Sequence, residues 1–250
     1  MRLISAEVLK LVRRRGLMAW SLLLTVGSVL VAEIVLVVLH AVNPDHHGPA
    51  GGASNLDHTV FLASGLGTVS AIIIGATAGT QDVGNGVFRD LVVTGRKRST
   101  LFNVRVPGAL AVFLPILALG LGLAIASSFV FAGGLPNASG ATIAKYVEYS
   151  VAITVVNVIV AIGLAAFTSS RVVVGVLIAW TAIVSHLLLQ ISSLGGARKF
   201  IDVAAAEHFL PRTSGDTRIA MSGAAAVLVL LGWTLVFTRA GRWWTIRRDA

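Results

Sequence analysis

Few polar side chains in this sequence stand where their chemistry would matter. Glu33 is the one ionisable group deep in the apolar run 17–39. A carboxyl there is costly, and it points to a pathway, a bound cationic group or a carried proton; the alternatives are a partner on a neighbouring helix or a protonated acid. Asn157 lies in the middle of the apolar run 147–167, where a helix–helix hydrogen bond is expected, and it is the second pathway candidate. Glu148 and His186 stand near run ends; Glu148 reads as interfacial and His186 as a neutral, hydrogen-bonded histidine. Asp45, His46, His47, Asp57 and His58 are the residue types of a Zn²⁺ site. His46 and His47 are adjacent rather than four apart and the segment is Gly-rich, so no metal site is expected.

The richest stretch is Thr80-Gln81-Asp82-Val83-Gly84-Asn85-Gly86-Val87-Phe88-Arg89-Asp90-Leu91-Val92-Val93-Thr94-Gly95-Arg96-Lys97-Arg98. Asp82 suits a helix start, where a carboxylate meets unpaired N–H groups and the positive end of the helix dipole. Val87, Phe88, Leu91 and Val92 form an apolar stripe. Gly95 suits the left-handed position just past a helix end. Arg96, Lys97 and Arg98 then meet the negative helix end and lipid headgroups. The spacing predicts an amphipathic helix over residues 82–94, its Phe/Leu/Val ridge exposed for a partner's groove. The alternative is a stripe packed on the spans or the membrane surface.

What must position these residues is set by composition. Of 250 residues, 56% are apolar and 12% charged, with a net charge of +9 and no cysteine. A soluble domain has about 45–50% apolar and about 25% charged residues. A soluble enzyme, a disordered chain and a disulfide scaffold are excluded. The basic residues lie between apolar runs, where topology accounts for them, so no nucleic-acid partner is expected.

A bilayer crossing needs about 20 apolar residues. Six runs qualify: 17–39, 60–79, 108–131, 147–167, 172–189 and 219–237. The fold class is all-α, a single six-span membrane domain over residues 17–250. With the N-terminus in the cytoplasm, fifteen Arg and Lys fall on the cytoplasmic side and five, including Arg212, on the other. That bias predicts a multi-pass plasma-membrane protein with both termini in the cytoplasm. The first run is too long for a signal peptide and has no cleavage site. Residues 1–16 read as an amphipathic interfacial helix, with Ile4, Val8, Leu11 and Val12 on its apolar face and Glu7, Lys10, Arg13 and Arg14 on the rest. The loop 40–59 reads as irregular, and the loop 190–218 as short helices lying on the membrane or dipping into it. Gly75 and Gly79 form a close-packing pair, and Pro115 predicts a kink.

The order of these parts resembles the membrane subunit of ABC-2-type ATP-binding-cassette exporters. Across nearly the whole chain the likeness is one of architecture; its motif-like part is 82–98, where Asp82, Gly86, Leu91, Gly95 and Arg98 match. Asp82 departs from the family's frequent Glu. The resemblance implies that Asp82, Gly86, Val87, Phe88, Arg89, Leu91, Val92, Arg96 and Arg98 couple to a separate P-loop ATPase. It also implies short helices near the exit in the last outer loop, and export out of the cytoplasm. The chain has no Gly-x-x-x-x-Gly-Lys-Ser/Thr, so ATP and Mg²⁺ are expected on the partner. Six spans make a thin bundle, so a second permease copy or a paralogue is expected. The weakly polar spans point to an amphiphilic or hydrophobic cargo such as a drug, antibiotic or lipid. A secondary transporter or channel working without ATP would want more intramembrane charges, and a membrane-embedded enzyme would want convergent catalytic groups. No catalytic residue is assigned.

Overall fold

In hydrocarbon every backbone N–H and C=O must be satisfied within the segment, which makes apolar runs helical. The structure is a computed structural model and describes residues 2–84, 86–211 and 218–247; Asn85, Arg212 and Arg248 of the sequence reading lie outside the described residues. Its helices are α1 (Arg2–Val12), α2 (Arg15–Leu22), α3 (Ser28–Val42), α4 (Gly52–Gly84), α5 (Val87–Val93), α6 (Arg98–Asn103), α7 (Arg105–Val130), α8 (Gly140–Leu164), α9 (Ser170–Ala179), α10 (Ser185–Gln190), α11 (Asp202–Glu207) and α12 (Gly223–Arg247). Six segments are long and apolar enough to cross a membrane: Arg15–Val42, Gly52–Asp82, Arg98–Val130, Gly140–Leu164, Ser170–Gln190 and Gly223–Arg247. The six-span, all-helical reading is met.

The boundaries differ where polar turns extend a span. The loop 40–59 is helical from Gly52, because Asn55 Nδ2 donates to the carbonyls of Pro49 (2.8 Å) and Gly51 (3.0 Å) and ties the start of α4. The sixth span opens at Gly223 and runs to Arg247 through its basic end. α7 continues through Pro115. Spans one and five are each interrupted by a π-turn, Leu23–Gly27 and Trp180–Val184.

α4 and α8 form the centre. Lipid gives no hydrophobic drive between helices, so small residues that admit close approach decide who packs with whom. A side chain at Gly75 would stand 2.5 Å from the Val158 carbonyl oxygen, and one at Gly79 would strike Ala165, so this Gly-x-x-x-Gly pair is the α4–α8 seam. Ser64 and Ser150 join the same helices through their hydroxyls at 2.7 Å. Spans one, five and six wrap the outside; only 17%, 17% and 11% of their most apolar windows are buried, against 67% for span two. An even number of spans brings the termini to one end, where the Arg98 guanidinium donates to the Ile246 carbonyl at 3.1 Å.

The expected short helices after span five are a 3₁₀ segment (Ser192–Phe200) and α11. They fold back into the bundle. Trp180 Nε1 donates to Asp202 Oδ1 at 2.9 Å, and Trp233 Nε1 to the Phe200 carbonyl at 2.9 Å. Trp180 is ten residues from the end of α10 and Trp233 ten from the start of α12, which at about 1.5 Å per residue is roughly 15 Å of depth. The tip at residues 200–202 is therefore re-entrant.

Candidate functional site

At the end of the bundle that carries both termini, four charged side chains meet. Glu7 and Lys10 come from one face of α1, three residues apart, and pair with each other. Asp82 comes from the last turn of α4 and Arg105 from the first turn of α7. Lys10 Nζ donates to Asp82 Oδ1 at 2.7 Å. Arg105 Nη1 donates to the Gly79 carbonyl at 2.9 Å, while its Nη2 stands 3.6 Å from Asp82 Oδ2. Arg105 is 1% exposed, Asp82 3% and Glu7 6%.

The local sequence explains why α1 fits there. α7 offers Gly108, where a side chain would meet Glu7 Cβ at 2.6 Å, so α1 lies directly on the α7 backbone. Leu11 fills the space beside it and is buried. A carboxylate in the last turn of a helix opposes the dipole, and Asp82 is held there between two cations. Charges this enclosed are tolerated only when paired. The set Glu7, Lys10, Asp82 and Arg105 carries two charges of each sign. Burial pushes the Glu7 carboxyl above its ordinary value, against the opposing pull of Lys10. Three atoms of the set have no hydrogen-bond partner: Asp82 Oδ2, Arg105 Nη2 and Arg105 Nε.

Two features of the expected coupling helix are corrected. Asp82 does not open it, because the α4 ladder runs on to Gly84 and takes Asp82 with it. The short helix is α5, seven residues rather than a helix over 82–94, entered through Gly86 at φ 72°. Nor is Phe88 on an exposed ridge: it is 5% exposed, with Leu91 and Val92 half-buried, so three of the four stripe residues turn toward the bundle and Val87 does not. The outward face of α5 carries Val87 (42% exposed), Arg89, Asp90 and Val93 (79% exposed). The end of the helix is as expected. Gly95 is left-handed at φ 86°, its N–H donates to the Val92 carbonyl at 3.0 Å, and the Arg96 N–H to the Leu91 carbonyl at 3.3 Å. Arg96 is exposed, and Arg98 opens α6.

The pathway candidates separate. Glu33 is buried against α4, where Oε1 accepts from Thr59 Oγ1 at 3.1 Å and Oε2 has no hydrogen-bond partner. Asn157 bonds within its own helix rather than to a neighbour: its Nδ2 donates to the Ile153 carbonyl at 2.9 Å. Glu148 is exposed, and His186 Nε2 is 4.0 Å from Glu207 Oε1. The outer-loop histidines do not converge: His40 Nδ1 contacts the His47 carbonyl at 2.6 Å, and no group of three or more metal-ligating side chains forms among the described residues.

Sequence reasoning missed Glu7, Lys10 and Arg105 as partners of Asp82. Lys10 and Arg105 were read as topological charge, and Glu7 as part of a solvated face. The available signal was Arg105 itself, which falls inside the third span and only three residues before the apolar run 108–131. It also missed Asp202, buried at the re-entrant tip, whose carboxyl is pushed up by that burial while the Trp180 indole opposes the shift.

Apolar grooves open on the bundle surface, among them one of about 520 Å³ between Phe200 and the α12 residues Leu228, Gly232, Trp233 and Val236. No protein-family model and no curated protein matches the chain.

Proposed function

We propose that this chain is the membrane subunit of an ABC-2-type exporter, moving an amphiphilic or hydrophobic cargo while a separate P-loop ATPase binds ATP and Mg²⁺. The observation that carries this reading is the connection between α5 and the buried charge set. α5 stands outside the apolar spans, and Asp82, five residues before its start, is bonded to Lys10 of α1 and faces Arg105 of α7. A push on α5 is thereby delivered to two spans and the N-terminal helix at once. The fifteen-to-five charge bias supports placing this end in the cytoplasm.

The docking face in this proposal is Val87, Arg89, Asp90 and Val93, with Arg96 beside it, while Phe88, Leu91 and Val92 hold α5 to the bundle. The thin covering over spans one, five and six supports a second copy or paralogue as the other half of the pathway. The apolar groove beside Trp233 suits an amphiphile's hydrocarbon part. The test is purification of this chain from its native membrane together with any P-loop ATPase that accompanies it. The expected result is a complex that survives purification, and Val93→Asp releases the ATPase without reducing membrane insertion.

One observation favours a second reading, an ion-coupled secondary transporter: the Glu33 carboxyl, buried with an unpartnered oxygen. Transport by the purified chain in liposomes, driven by a proton gradient without nucleotide and abolished by Glu33→Gln, would select it.

A further inference from the structure

The charge set is incomplete in a directional way. Asp82 Oδ2 and Arg105 Nη2 are both buried, both without a hydrogen-bond partner, and face each other at 3.6 Å. A charge-assisted hydrogen bond between such groups spans about 2.7–2.9 Å, so the gap exceeds it by about 0.8 Å. What holds the carboxylate away is visible: its other oxygen is bonded to Lys10, which belongs to α1. Arg105 is in turn anchored to the Gly79 carbonyl, one turn before Asp82 on the same helix, so it needs no new anchor to reach further.

We propose that Asp82 is handed from Lys10 to Arg105 when α1 leaves its seat on Gly108. With Lys10 present, the carboxylate is drawn toward α1 and the Arg105 pair stays open. With Lys10 withdrawn, Arg105 is the one remaining cation of the set, and the unpaired Oδ2 and Nη2 satisfy each other. Closing the pair draws the end of α4 onto the start of α7. Gly84 and Gly86, which lead toward α5, follow within four residues. Lys10 and Arg105 are positioning residues in this scheme: they set where the α4 end lies and touch no cargo. The scheme rests on the proposed coupling role for what moves α1, but the hand-over itself rests on the geometry of these groups alone.

The test is a solid-state NMR distance between Asp82 ¹³Cγ and the Arg105 guanidinium ¹⁵Nη in the full-length protein in liposomes, with Asp82→Asn to identify the signal. In Lys10→Met the distance is expected to shorten by about 0.8 Å relative to wild type. Lys10→Arg, which keeps the cation, leaves it unchanged. Gly108→Leu displaces α1 sterically with every charge in place and is expected to shorten it as well, so a poorly folding Lys10→Met does not end the test. An unchanged distance in folded Lys10→Met or Gly108→Leu overturns the hand-over. If the distance shortens as expected but ATPase binding has no effect on it, the hand-over stands and the coupling role fails.

Discussion

Lys10 and Asp82 are 72 residues apart in sequence, yet Lys10 Nζ donates to Asp82 Oδ1 at 2.7 Å. This bond ties the N-terminal helix to the last turn of α4, five residues before α5 begins. It also gives Asp82 a role other than capping: a carboxylate at the negative end of a long helix is retained because two cations meet it there.

Arg105→Met leaves the buried Asp82 carboxylate with Lys10 alone. Breaking one partner out of a buried ion set costs about 3–5 kcal/mol. A clear fall in the thermal midpoint of the detergent-solubilised protein is expected. The double variant Asp82→Asn with Arg105→Met is expected to recover part of that loss, since the orphaned charge is gone. Thermal unfolding of the three proteins side by side checks this.

Phe88→Asp and Val93→Asp separate packing from docking. Phe88 is buried, so an aspartate there costs roughly 3–5 kcal/mol from the lost aromatic side chain alone and lowers folding yield. Val93 is 79% exposed, so Val93→Asp is expected to change stability by less than about 0.5 kcal/mol and to remove ATPase association. Size-exclusion profiles and pull-down of the ATPase read the two effects independently.

Gly75→Val places a side chain against the Val158 carbonyl oxygen at 2.5 Å, where backbone cannot yield. The α4–α8 seam is expected to open, with an overpacking cost of about 1–3 kcal/mol or more. Gly232→Val is the control, since nothing lies within 4 Å of a side chain there. Comparing their midpoints isolates the seam.

Asp202 gives the re-entrant tip a pH dependence of defined sign. Burial raises its carboxyl above the ordinary carboxylate range. The folded state therefore binds this proton more tightly than the unfolded state does. The stabilisation is full below the ordinary value and is lost as pH rises through the raised one. Hydrogen exchange in residues 192–207, corrected for the intrinsic rate, is expected to increase across that interval. Asp202→Asn is expected to flatten the dependence.

The architecture was legible because bilayer thickness imposes a length on apolar runs, and six runs met it. The left-handed Gly95 was legible because a helix end there leaves few alternatives. Asp82 misled because a carboxylate before an apolar stripe has the same local signature at the end of one helix as at the start of the next. Phe88 misled because periodicity shows which residues share a face but not which way that face turns. The charge set was hidden for a different reason: Glu7, Lys10, Asp82 and Arg105 lie on three helices, and only the tertiary fold brings them together.

The most direct measurement is ATP-driven transport by proteoliposomes holding this chain and the P-loop ATPase that co-purifies with it, assayed with a fluorescent amphiphile, in wild type and Val93→Asp. Nucleotide-dependent movement in wild type, lost in Val93→Asp while ATPase-free vesicles stay inactive, is the expected result. Equal transport without the ATPase, or unchanged coupling in Val93→Asp, would contradict the account.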